Sequence, residues 1–110
     1  MVIFTLLDSQ ENLMPVSKLE NALYNLKQGN LYKGKQILED LVLDDPRNPD
    51  ILYNLGMCYS ELKDLPAAIN TLKQCIQYDP HNSNALAALG VAYARNKDFI
   101  NAEAVAIKVN

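Results

Sequence analysis

The sequence predicts an all-α fold of tandem helical hairpins, and three observations carry that expectation. The chain repeats itself at one offset, its apolar residues recur at helical spacing, and its turn residues fall where helices would start and stop. Strand-like alternation is absent. At 110 residues the chain is one domain or a piece of one. Its hydrophobic content of 49% supplies a core and excludes a disordered reading.

The offset is 34 residues. LYNLGMCY at 52–59 aligns with LAALGVAY at 86–93, and KDLPAAI at 63–69 with KDFINAE at 97–103. LVLDDPRNP at 41–49 aligns with CIQYDPHNS at 75–83, and GNL at 29–31 with KDL at 63–65. Six helices follow in three antiparallel pairs: 15–28 with 31–44, 49–62 with 65–78, and 84–96 with 99–109.

Each element has a local reason. In the first pair, register counted back from the later units would put Lys18, Asn21 and Asn25 in the core. Leu19, Ala22, Leu23 and Leu26 form the apolar stripe instead, so the first helix is expected to be rotated, or its turn shortened by roughly one residue. The second helix fits the register with Gly34, Leu38 and Leu41. In the middle pair, Asn48 caps a helix whose first turn holds Pro49 and Asp50, the favoured chemistry for a start. Lys63 and Asp64 make the turn, Asp64 caps the next helix, and Pro66 lies in its first turn. Asp79-Pro80 ends that helix, because the residue before proline avoids the α region. Ser83 and Asp98 are expected to cap the third pair.

Gly56 stands inside a helix, where it costs about 1 kcal/mol relative to alanine. Ala68 faces it on the second helix of the hairpin; Gly90 with Ala102 repeats the pair, and Ala22 with Gly34 exchanges its order. Small side chains there are expected to let paired backbones approach, so that large replacements overpack.

These residues carry a family resemblance. Leu52, Leu55, Gly56, Tyr59, Ala68, Leu72, Cys75 and Pro80 resemble the tetratricopeptide repeat pattern. Leu86, Leu89, Gly90, Tyr93, Ala102 and Ala106 repeat it, stopping before a final proline. The resemblance covers residues 15–110, with repeats at about 15–48, 49–82 and 83–110, the first degenerate and the third truncated. It implies a right-handed α-solenoid of three antiparallel helix-turn-helix repeats. Residues 1–14 precede the repeats, and Ile3, Phe4, Leu6 and Leu7 suit a short helix packing over the first one.

The resemblance further implies a non-catalytic interaction module that binds a peptide or partner segment in a concave groove. The groove would be lined by the first helix of each repeat, through Tyr53, Asn54 and Met57, then Asn84, Ala87 and Val91. Asp50, Glu61, Ala94 and Arg95 share those helix faces. Tyr53 offers an apolar ring with a polar tip, Met57 an adaptable thioether, and Asn54 an amide that can hold a peptide backbone. Chaperone-binding members grip a C-terminal carboxylate with Lys, Asn and Arg side chains. Asn54 matches one position, but Leu19, Leu23, Asn84 and Ala88 stand at the others, which argues against that clamp.

Other chemistry is sparse. The single histidine, His81, follows Pro80 in a turn, without partners for a nucleophilic triad. The acidic pairs Glu39-Asp40 and Asp44-Asp45 read as solvated charge, and no glycine-rich phosphate loop is present, so neither enzyme nor cofactor is expected. A net charge of −3 argues against nucleic acid. The opening MVIFTLL is too short for a membrane span and lacks signal-peptide features, so a cytoplasmic protein is expected. Cys58 and Cys75 read as small core residues in a reducing compartment. Residues 99–109 are apolar on nearly every side, with Phe99, Ile100, Ala102, Ala104, Val105, Ala106, Ile107 and Val109. Solenoids end in polar caps. Either more repeats follow in a longer parent, so that the module is part of a larger protein or assembly, or this face meets another chain; the alternative function is then a self-associating scaffold joined through this helix.

Overall fold

The computed structural model describes residues 17–109. The segment 1–14, expected to pack over the first repeat, lies outside them. Among the described residues six α-helices run in order: α1 Lys18–Lys27, α2 Leu31–Asp44, α3 Pro49–Glu61, α4 Leu65–Tyr78, α5 Ser83–Arg95 and α6 Phe99–Val109. They pair as hairpins α1–α2, α3–α4 and α5–α6, and the hairpins stack through α2 against α3 and α4 against α5. Each connection is short, which makes neighbouring helices antiparallel and the whole an α-solenoid.

The turns inside the hairpins share one geometry. Gly29, Lys63 and Lys97 all have positive φ, at 85°, 68° and 62°. In the middle hairpin the Asp64 N–H donates to the Tyr59 carbonyl at 2.9 Å and the Lys63 N–H to the Ser60 carbonyl at 3.1 Å. This pair of bonds satisfies the last carbonyls of α3, and it recurs at the ends of α1 and α5.

Those turns correct the reading of α1. Gln28, Gly29 and Asn30 stand at the same places as Leu62, Lys63 and Asp64, so the first turn is not shortened. The expected stripe holds in part: Ala22 is buried and Leu19 and Leu26 pack against its cluster, while Lys18 and Asn21 are exposed. Asn25 is buried, with 4% of its surface exposed, while Leu23 of the expected stripe is 38% exposed. Asn25 is accommodated because its amide is satisfied: Nδ2 donates to the Asn21 carbonyl at 2.8 Å and to Asn21 Oδ1 at 2.9 Å, and Oδ1 accepts from Asn30 Nδ2 at 3.4 Å. The helix also starts later than expected. Ser17 caps it, accepting from the Glu20 N–H at 3.0 Å, while the Glu20 side chain reaches back to the Ser17 N–H at 3.4 Å.

The cap of α5 is Asn82, not Ser83. Asn82 Oδ1 accepts from the Ala85 N–H at 2.9 Å, and Ser83 is already the first helical residue. The repeat itself contains the reason, since Asn82 follows Asn48 by the 34-residue period and Asn48 caps α3 in the same way. Asp64 and Asp98 cap α4 and α6 as expected, each accepting an N–H at 3.3 Å.

The glycines divide. A Cβ on Gly56 would stand 2.6 Å from Leu72 Cγ, so the close neighbour is Leu72, one turn beyond the expected Ala68. A Cβ on Gly34 would stand 2.5 Å from Leu26 Cδ2 and 3.4 Å from the Ala22 carbonyl oxygen. Gly90 is different: its nearest atoms would be Val105 Cγ1 at 3.8 Å and the Ala102 carbonyl oxygen at 3.9 Å, ordinary contact. The third pair therefore does not repeat the tight approach, because Ala106 stands where the middle hairpin has Leu72.

Between the hairpins the core is continuous. Ala22 and Leu38 pack with Ile51, Leu55 and Cys58; Ala68 and Leu72 pack with Leu86, Leu89 and Ala92; and Leu52 packs with Cys75 and Ala85. Both thiols are free and buried. Cys58 Sγ donates to the Leu31 carbonyl and Cys75 Sγ to the Pro49 carbonyl, each at 3.3 Å. Burial pushes both thiols up, Cys75 to about 11, with the Asp79 and Asp50 charges adding to its shift. Tyr59 ties α3 to α2, its hydroxyl donating to Glu39 Oε2 at 2.6 Å. Burial raises its phenol first, and the bond to Glu39 raises it further.

Candidate functional site

A groove of about 250 Å³ runs between α3 and α5 on one side of the solenoid. Tyr53 and Met57 come from α3 and are half-buried; Asn84, Ala87 and Val91 come from α5 and are exposed. The periodicity explains the pairing. Tyr53 and Ala87, like Met57 and Val91, are separated by 34 residues, so they occupy matching positions on two adjacent first helices. Tyr53 also packs its ring against the hydrophobic core, which fixes the groove's apolar wall.

One end of the groove is polar. Arg95 Nη1 donates to Ser60 Oγ at 3.0 Å and lies 3.9 Å from Glu61 Oε1. The ion pair is exposed, so the guanidinium is held by the Ser60 bond more than by charge. The remaining groove wall is Ala88. The arrangement offers an apolar floor, the Asn84 amide and one cation–carboxylate pair. It can grip an extended or helical segment through side-chain burial and a few hydrogen bonds.

Five of the six predicted site residues are brought together here. Asn54 is the exception: it does not line the groove, and its Nδ2 donates to the Asp50 carbonyl of its own helix at 2.8 Å. Of the residues sharing those faces, Glu61 and Arg95 lie in the groove, whereas Ala94 lines an adjoining cleft between α5 and α6 that shares Ala87 and Val91 with it. Ser60 was missed. Its spacing gives it away, because it follows Met57 by three residues and Tyr53 by seven, on one face of the helix. Among the described residues, no group of three His, Cys, Asp or Glu side chains is placed to hold a metal ion. No helix among them is long and apolar enough to cross a membrane.

The repeat geometry has a counterpart among known families. A family model described as the Psidin N-terminal TPR repeats region matches residues 4–110. The chain belongs to this TPR-repeat family. Solved structures agree on the fold. The second TPR of Spaghetti (RPAP3), bound to the HSP90 peptide SRMEEVD, is similar with a TM-score of 0.81 and 20% identity, covering 93% of this chain and 95% of that one. The first TPR of the same protein, bound to the same peptide, has a TM-score of 0.81 and 21% identity, covering 92% and 78%. MamA from Desulfovibrio magneticus RS-1 has a TM-score of 0.83 and 23% identity, covering 96% of this chain and 61% of that one. No curated protein sequence matches the chain.

Proposed function

We propose that the chain is a non-catalytic interaction module that binds a peptide or partner segment in the groove between α3 and α5. The observation that carries this is the convergence of Tyr53, Met57, Asn84, Ala87 and Val91 on one open, largely apolar groove. TPR membership supports it, and so do the peptides that occupy the two similar RPAP3 domains. The ligand differs from theirs. Leu19, Leu23, Asn84 and Ala88 stand where a carboxylate clamp needs cations and amides, and Asn54 is turned onto its own helix. An aliphatic or aromatic segment with a hydrogen-bonding backbone fits better than an acidic C-terminus. The free buried thiols suit a reducing compartment, which supports a cytoplasmic setting.

The test is selection from a displayed peptide library, followed by titration of the selected peptides. Met57→Lys and Asn84→Lys should each weaken binding by about tenfold or more, with melting temperature unchanged. The SRMEEVD peptide should not bind. Equal binding of selected peptides to both variants would show that the groove is not the site. A second reading, a self-associating scaffold, is favoured by Ile100 and Ile107 on α6, which are 84% and 69% exposed. Light scattering decides it: a chain that stays monomeric at tens of micromolar is not such a scaffold.

A further inference from the structure

A second furrow lies on the other face of α5 from the groove proposed above, and the two share no lining residue. It runs between α4 and α6, whose backbones stand apart, with α5 beneath. Its volume is about 310 Å³, and the buried side chains of Leu86, Leu89 and Val105 form its apolar floor. Lys73 of α4 and Lys108 of α6 stand on its two walls, both exposed, and the half-buried Tyr93 of α5 lines it with them. No Asp or Glu lines it, although the chain as a whole carries a net charge of −3. Among the described residues the one ion pair is Arg95 with Glu61, so no carboxylate there neutralises either ammonium group.

The furrow does not depend on where the stack ends. Its counterpart one repeat earlier, between α2 and α4, has Asn70 and Gln74 where this one has Ala104 and Lys108. Both are exposed although the third hairpin is stacked on the middle one. The next hairpin in a stack therefore leaves this wall open to solvent.

The counterpart shows what this furrow lacks. At the places of Lys73 and Tyr93 it has Glu39 and Tyr59, each 34 residues earlier, and the Tyr59 hydroxyl donates to Glu39 Oε2 at 2.6 Å. Lys73 cannot accept such a bond, because an ammonium group has no lone pair. With Lys108 in place of Gln74, the same position in the fold changes from one carboxylate to two ammonium groups. A carboxylate from outside fits here, accepting from Tyr93 and pairing with both lysines. An exposed ion pair alone is worth little, so the occupant must also bury an apolar side chain on the floor. A furrow between two helices suits an amphipathic helix that carries both groups one turn apart.

We propose that the furrow between α4 and α6 binds an amphipathic helix of a partner protein that presents a glutamate and a leucine one turn apart. The leucine packs on Leu86, Leu89 and Val105, and the glutamate accepts from the Tyr93 hydroxyl between Lys73 and Lys108, as Glu39 accepts from Tyr59. The probe is a helix-stapled peptide of about 15 residues with leucine and glutamate along one face, compared with a copy in which each glutamate is glutamine. On the full chain the glutamate peptide should bind with one-to-one stoichiometry, about tenfold or more tighter than the glutamine copy, and more weakly in high salt. It should shift the amide resonances of Lys73, Leu89 and Val105. Lys73→Glu puts a carboxylate back beside Tyr93 and should remove this binding, and Lys108→Gln, which restores the side chain of Gln74, should weaken it. Both lysines are exposed, so melting should not change and groove ligands should bind as before. Lys33→Glu makes the same charge change at an exposed place on α2 and should leave binding unaltered. SRMEEVD is too short to hold a helix and should not bind here either. Absence of saturable binding, equal affinity for the two helical peptides, or an equal loss in Lys33→Glu would overturn the proposal. So would binding of SRMEEVD at this furrow, or shifts centred on Tyr53 and Val91.

Discussion

Replacing Gly56 and Gly90 by alanine, the same substitution at equivalent places in two repeats, should change stability in opposite directions. At Gly90 the new Cβ meets nothing closer than 3.8 Å, so only the backbone term operates. Alanine is about 1 kcal/mol better than glycine inside a helix, and Gly90→Ala should stabilise by about that amount. At Gly56 the Cβ would fall 2.6 Å from Leu72 Cγ and 2.8 Å from its Cδ2. Leu72 is 0% exposed and has nowhere to move. Overpacking of this kind costs about 1–3 kcal/mol, which outweighs the backbone gain and leaves a net loss of up to about 2 kcal/mol. Urea and thermal unfolding measure both, with roughly 4–8 °C expected per kcal/mol in a domain of this size. A third arm isolates the cause. In a Leu72→Ala background, which reproduces the Ala106 environment of Gly90, Gly56→Ala should become stabilising. If both single variants shift the melting temperature in the same direction, or if the Leu72→Ala background leaves the Gly56→Ala effect unchanged, contact with Leu72 is not the reason for the glycine.

Two further outcomes follow from the turns and the buried ionisable groups. Lys63→Gly and Lys97→Gly should each stabilise by about 0.5–1 kcal/mol in urea titrations, because both lysines adopt the positive φ that Gly29 occupies without strain. Stability should fall on the alkaline side. Cys75 is raised from 9.0 to about 11 in the fold, so its contribution is complete below pH 9 and is lost between pH 9 and 11 as the unfolded thiol ionises first; Tyr59, also raised, adds a loss above pH 10. Cys75→Ala with Tyr59→Phe should flatten that limb in pH-dependent denaturation.

Most of the fold was legible because the period places equivalent residues at equivalent tasks. Asn48, Asp64 and Asp98 were readable as caps from their position before helical runs, and Pro49 and Pro66 from their fit to a first turn. The misses have a common physical form. Serine caps well in isolation, but at Ser83 the backbone is already helical, one residue after Asn82. Asn25 was excluded from the core as a polar residue, although Asn21 and Asn30 satisfy its amide there. At the candidate site, Tyr53, Met57, Asn84, Ala87 and Val91, expected from the family resemblance, line one groove. Asn54 lies one residue from Tyr53, but its own carbonyl partner at Asp50 draws it away from the groove.

For residues 17–109 the sequence by itself determined the helices and their pairing, since capping and proline placement act within a few residues of chain. Only the tertiary structure decided which small residues are obligatory and which surfaces are left open. Gly56 and Gly90 are identical in local sequence logic, yet one is closed over by Leu72 and the other faces Ala106, sixteen residues further along the chain and across a helix pair. Burial depends on what packs opposite a residue, and that partner is set by the stacking of helices.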